Sequence, residues 1–240
     1  MSERRVGSDP LLPWLIFTGL TFFAFILLWY FGLIQRMTSE DRTYISSLII
    51  VLYIASSLHC LWRILAIVRE GNAAQETGRA VLRDGVAAPG AGLVGIHIRD
   101  LVAKAAHQRG GRLDQTLLLR VLAERLRGSN AFGSFASDTL MKLGLLGTII
   151  GFIMMLAPIG ALDPENKAAV RSSMSLMSEG MAVAMYTTLA GLAASILLKV
   201  QYSMLDRATA KIFAFAVDLT EVHVVSVLES PPEKTGAPAE

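Results

Sequence analysis

Four long apolar stretches constrain this chain more than any other feature: Leu11–Ile34, Tyr44–Val68, Leu143–Ala161 and Met181–Val200, none of which contains an Asp or Glu. A helix needs roughly 20 apolar residues to cross the hydrocarbon core of a bilayer, and each stretch has about that length. Within lipid every backbone N–H and C=O must be satisfied inside the segment or by its neighbours, and runs of this length do so as helices rather than as barrel strands. The sequence therefore predicts an all-α integral membrane protein with four transmembrane helices. Composition agrees, with 53% hydrophobic and 18% charged residues and a mean hydropathy of +0.50, more apolar and less charged than soluble domains. A net charge of +2, with no basic run interleaved with aromatics, gives no argument for a nucleic-acid partner.

Arg4 and Arg5 precede the first stretch as they would in a signal peptide. The apolar run behind them is too long and lacks a small-residue cleavage site, so a retained anchor is expected. Positive charge marks the cytoplasmic side of a span. The connection Arg69–Ser137 holds Arg69, Arg79, Arg83, Arg99, Lys104, Arg109, Arg112, Arg120, Arg125 and Arg127. In Gln35–Thr43, by contrast, Arg36 and Arg42 are offset by Glu40 and Asp41, and in Leu162–Gly180 Lys167 and Arg171 face Asp163, Glu165 and Glu179. Arg63, Lys142 and Lys199 fall near the same face as the large loop and can snorkel there. The expected orientation has both termini and the large loop in the cytoplasm.

The layout expected along the chain is a first transmembrane pair (1–68), a cytoplasmic helical loop (69–137), a second transmembrane pair (138–203), a cytoplasmic helical extension (204–229) and a disordered tail (230–240). Within the loop, the Gly, Ala and Pro of Gly85–Gly95 predict a break. Ile96–His107 and Leu113–Arg127, separated by Gly110–Gly111, show apolar positions at helical spacing. Asp206–Leu228 has a mixed pattern without a breaker, so the last span is expected to continue as a helix out of the membrane.

The last two stretches carry a distinctive pattern. Gly144, Gly147, Thr148 and Gly151 share one helical face, opposite the bulky Leu145, Ile149, Phe152 and Ile153, and Gly180, Ala184, Thr187, Thr188, Gly191 and Ser195 repeat the design. Such strips have two readings. In one, small residues let two helix backbones approach, and each Thr bonds a carbonyl one turn back. In the other, the hydroxyls face a narrow polar path, where they can accept and donate hydrogen bonds to a small cation without holding a permanent charge.

Leu143-Gly-Leu-Leu-Gly-Thr-Ile-Ile-Gly151, followed by Gly180-Met-Ala-Val-Ala-Met-Tyr-Thr-Thr-Leu-Ala-Gly-Leu192, resembles the paired signature of the MotA/TolQ/ExbB proton channel family. The likeness runs from Thr139 to Tyr202. It implies a homopentamer around a pair of single-span partner helices of the MotB/ExbD/TolR type, whose intramembrane Asp carries the proton while ion flow turns the ring. It further implies a multi-pass protein of the bacterial inner membrane. By the same resemblance Thr148 matches the third-span threonine of the ExbB and TolQ type, and Thr188, three before Gly191, matches the threonine shared across the family, with Thr187 beside it. Val183 stands where the ExbB type has a glutamate. With no acid in any span, a partner carboxylate becomes more necessary. Four spans with a large loop after the second resemble MotA, although Met141-Lys142 stands where MotA-like proteins place a proline. Arg120, Glu124 and Arg125 lie on a helix suited to gripping a rotor, but do not align with the MotA residues that do so, and a solvated face explains them equally. The function expected is an ion-conducting motor subunit, the ion most simply a proton, and the rival is a non-conducting scaffold whose basic loop recruits a cytoplasmic protein.

The remaining candidates are weaker. His59, one turn before Arg63, is read as a helix-packing histidine because no second ionisable group of the same span adjoins it. Glu179 sits at the outer mouth of the fourth span, where it can attract cations or simply favour a helix N-terminus. Pro158 is expected to bend or end the third span, and Trp14, Trp29, Tyr30, Tyr44 and Trp62 are read as interfacial anchors. No P-loop lysine, paired histidine ligands or activated nucleophile points to an enzyme, a metal or a cofactor, and the lone Cys60 reads as packing.

Overall fold

The computed structural model describes residues 11–32, 34–35, 43–85, 90–107, 114–161 and 166–229. The expected tail from Ser230, the Gly110–Gly111 pair, and Arg36, Arg42, Arg109, Arg112, Asp163 and Glu165 lie outside them. Helices α1 (Leu11–Tyr30), α2 (Ile45–Asp84), α3 (Gly92–His107), α4 (Thr116–Arg127), α5 (Ala131–Leu156) and α6 (Lys167–Leu219) follow in order, and no strand occurs among the described residues. Leu11–Tyr30, Ile45–Arg83, Ala131–Gly160 and Lys167–Leu228 are long and apolar enough to cross a membrane. The chain is an all-helical multi-pass membrane protein.

Helix ends follow local chemistry. Beyond α1, Gly32 adopts φ +69° and its N–H bonds the Trp29 carbonyl, so the helix stops at Tyr30 rather than at Ile34. Helix α5 gives way to a 3₁₀ turn over Ala157–Ala161, because Pro158 has no N–H to donate and crowds the preceding turn. Asn166 starts α6, its Oδ1 accepting the N–H groups of Ala168 (3.1 Å) and Ala169 (3.3 Å). Helix α6 then runs for 53 residues, about 80 Å at roughly 1.5 Å per residue, far more than the ~30 Å hydrocarbon core needs. A π-helical turn, Thr220–Val225, and α7 (Ser226–Glu229) follow it.

The chain divides into two units, each fed by both long helices. The apolar unit holds the described residues of Pro10–Arg63 and Ser129–Leu205; the polar unit holds those of Ile64–Gly128 and Asp206–Glu240. In the polar unit α2 continues to Asp84 through two glycines that sequence reasoning would treat as weak points. Both are contact points instead: a Cβ on Gly71 would meet Ile212 Cδ1 at 3.4 Å, and one on Gly78 would meet Phe215 Cζ at 2.9 Å. The α2–α3 connection is held by the Glu70 carboxylate, which accepts the Leu93 N–H, and by the Thr77 hydroxyl, which donates to the Ala91 carbonyl at 3.0 Å. Val94, Ile98, Leu101 and Ala105 form the inner stripe of α3, with Leu101 packed among Val225, Ala105 and Leu118. Gln115, buried just before α4, donates to the Glu221 carboxylate on the π turn. Asp114 accepts from the Thr116 hydroxyl (2.6 Å) and N–H (3.0 Å), and these bonds, the hydroxyl's first, hold its carboxyl below the usual range.

Candidate functional site

In the apolar unit the small faces of α5 and α6 lie against one another. A Cβ on Gly191 would stand 2.7 Å from Gly144 Cα, one on Gly151 would stand 2.6 Å from Ala184 N and 2.7 Å from Gly180 O, and one on Gly180 would stand 2.5 Å from Met155 N. A Cβ on Gly147 would overlap the Thr187 side chain. Backbone therefore meets backbone at two levels, Gly144/Gly191 and Gly151/Gly180, which only residues without side chains permit, and between them the Thr187 side chain packs directly onto the Gly147 backbone. Gly144, Gly147, Gly151, Gly180 and Gly191 thus close a seam within one chain. Ala184 is half-buried in it and Ser195 is buried along α6, while Leu145, Ile149, Phe152 and Ile153 lie exposed on the opposite side of α5.

The three threonines differ in access. Thr187 is fully buried, and its hydroxyl donates to the Val183 carbonyl at 2.8 Å, with Ala184 O at 3.2 Å. Thr188 is half-buried at the rim, its hydroxyl donating to Ala184 O at 2.9 Å with Gly144 O across the seam at 3.4 Å. Thr148, also half-buried, donates to Leu145 O at 2.5 Å. With each proton directed to a carbonyl, the oxygens of Thr148 and Thr188 keep lone pairs for an incoming donor, and among the described residues no side chain supplies one. The rim can receive a cation or a protonated acid and holds no charge of its own. Val183 is completely buried, and Glu179 is half-buried one residue before Gly180.

A second polar group, unread in the sequence, surrounds the Arg63 end of the unit. His59 Nδ1 lies 2.8 Å from the Tyr202 hydroxyl, the two rings stack at 6.4 Å, and Phe132 packs edge-on against the imidazole at 4.9 Å. The ionisable neighbour of His59 thus comes from α6, 143 residues away, where no span-by-span reading would find it. Tyr202 also fills the space above Gly133, where a Cβ would overlap its ring. Arg63 donates to the Asn130 side-chain oxygen at 3.2 Å. Trp14, read as an interfacial anchor, is instead only 3% exposed. Trp29, Tyr30, Tyr44 and Trp62 are exposed.

Fold and seam together define a multi-pass helical membrane protein whose last long helices are joined backbone to backbone and edged by hydroxyl acceptors. Residues 98–215 match the MotA/TolQ/ExbB proton channel family, and the chain carries a domain of that family. The matched segment holds α5, most of α6 and the whole seam, whereas α1 and α2 precede it. No curated protein and no solved structure gives a match.

Proposed function

We propose that the chain is a proton-conducting motor subunit that forms a ring around a single-span partner dimer and converts ion-motive force into rotation or mechanical work. One observation carries the reading: within a proton channel family segment, Thr148 and Thr188 stand at the rim of a closed helix pair with their protons committed inward and their lone pairs open. A carboxylic acid on a partner helix donates to such an oxygen, gives up its proton and re-forms its charge beside solvent, so the ring needs no acid of its own. Each elementary charge that crosses 100 mV releases about 2.3 kcal/mol, so a few protons per step suffice to move a ring against its core. The subunit is placed in the bacterial inner membrane with both termini inside, and five copies surround the partner pair. Imaging the assembled complex tests this: a central partner carboxylate level with Thr148 and Thr188 is the expected result, and hydroxyls turned to lipid with no second polypeptide would refute it.

One observation favours the scaffold reading. The glycines are consumed by packing within the chain, as a non-conducting protein would also require. Open acceptor oxygens at the rim, rather than hydroxyls wholly enclosed like that of Thr187, argue for the conducting subunit.

A further inference from the structure

The polar group near Arg63 extends into the unit beyond His59. Gln201 is completely buried, and its Nε2 lies 3.4 Å from Thr18 Oγ1 on α1. Tyr53 on α2 shares a hydrogen bond with the same side chain. Tyr202, the next residue, has its hydroxyl 2.8 Å from His59 Nδ1, a contact whose direction follows the imidazole tautomer, and 3.4 Å from the Ser56 carbonyl, to which it can donate. Around these bonds three buried polar atoms have no protein partner: Gln201 Oε1, Ser56 Oγ and Trp14 Nε1. Trp14 lies one turn from Thr18 and Ser56 nearly one turn from Tyr53, so each shares a helix face with a residue bonded to Gln201. Turning the Gln201 amide over would exchange its two ends and still leave one bare.

An indole donor, an amide acceptor and a hydroxyl that does both are the partners a buried water takes, typically about three hydrogen bonds each. Left dry at membrane depth, each of these atoms would forfeit its hydration with nothing in return. Thr188, Ser195 and Tyr202 also recur at heptad spacing on one stripe of α6, so the junction continues the line of hydroxyls that begins at the rim. Successive positions are about 10 Å apart along the axis.

We propose that Trp14, Thr18, Tyr53, Ser56, Gln201 and Tyr202 form an internal water site, and that Tyr202 and His59 pass the proton arriving there to the inner surface; the second part rests on the proton-conducting reading. In the transfer the excess proton that has arrived on the site's water passes to the Tyr202 oxygen, leaving neutral water, as the Tyr202 proton goes to His59 Nδ1, and the imidazole releases its Nε2 proton to solvent. One proton enters and one leaves, and no phenolate persists. His59 is only partly buried and one turn from Arg63, suited to that exchange. Helices α1 and α2, which supply Trp14, Thr18, Tyr53, Ser56 and His59, precede the segment that matches the channel family.

The site is tested on the full chain in lipid nanodiscs, with Trp29→Phe and Trp62→Phe leaving Trp14 as the only indole. Ultraviolet Raman scattering is expected to show its N–H hydrogen-bonded and exchanging in D₂O within minutes; a free N–H protected for hours overturns the water site. The relay is tested by proton flux in vesicles holding chain and partner. His59→Ala should cut flux about a hundredfold or more, the lower end of what a proton-transfer group supplies, and free imidazole inside should restore part of it. Tyr202→Phe, which keeps the ring over Gly133, should cut flux similarly. If both variants assemble and conduct normally the relay is overturned while the conducting role stands; if Thr188→Val also conducts normally, the conducting role falls and the Raman result still decides the water site.

Discussion

Gly151→Ala puts a methyl group where the backbone of α6 already stands. Its Cβ would lie 2.6 Å from Ala184 N and 2.7 Å from Gly180 O, about 0.9 Å short of the ~3.5 Å at which non-bonded heavy atoms pack. Both obstacles are main-chain atoms, so no rotamer change relieves them and the helices must part. A gap of roughly 0.5–1 Å forfeits about a quarter to a half of each dispersion contact, and such contacts are a principal force joining helices in lipid. Overpacking of this kind costs about 1–3 kcal/mol, offset by up to ~1 kcal/mol from replacing a helical glycine with alanine. A net loss of about 1–2 kcal/mol is expected in equilibrium unfolding of the purified chain from mixed micelles with SDS. Gly19→Ala is the control, because nothing lies within 4 Å of the added Cβ; it should be neutral or stabilising. If Gly151→Ala unfolds no more easily than Gly19→Ala, the seam does not hold the pair together.

Two further outcomes follow from the geometry. Thr187→Val removes a buried hydroxyl bonded to Val183 O, and is expected to lower stability by about 0.5–1.5 kcal/mol while leaving proton flux in partner-containing vesicles unchanged, because that oxygen never reaches the rim. In the polar unit burial holds the His97 pKa below its ordinary 6.5, with the Asp100 charge pulling the other way. The unfolded chain therefore binds the proton more readily, so this contribution is fully present above about pH 6.5 and is lost as pH falls below it. Amide protection in α3, exchange being taken relative to its intrinsic rate at each pH, should fall on going from pH 7 to 5.5, and His97→Leu should flatten that response.

The sequence made the four spans legible because lipid imposes a length and forbids acids, and both constraints are local. The two closing motifs were legible for a similar reason, since small residues at helical offsets, such as Gly147, Thr148 and Gly151 three, four and seven after Gly144, mark one face however the helices are later arranged. Which neighbour that face meets was not legible: the sequence allowed another chain, and the structure supplies α6 of the same chain. Helix α2 passes Val68 without a break because Gly71 and Gly78, which weaken a helix taken alone, receive Ile212 and Phe215 of α6, a tertiary contact that outweighs propensity. Trp14, Tyr53, Gln201 and Tyr202 were unreadable as a group because residues on three helices, remote in sequence, meet only in the folded unit. A Gln within an otherwise apolar helix near Lys199 was the one available signal.

The most direct test of the central claim is proton flux through Thr188→Val and Thr188→Ser in vesicles holding the chain and its partner. Valine keeps the shape and removes the acceptor oxygen, whereas serine keeps the oxygen. The rim as described predicts flux lost in the valine variant and retained in the serine variant, with assembly intact in both. Equal flux through both, at wild-type level, would contradict it.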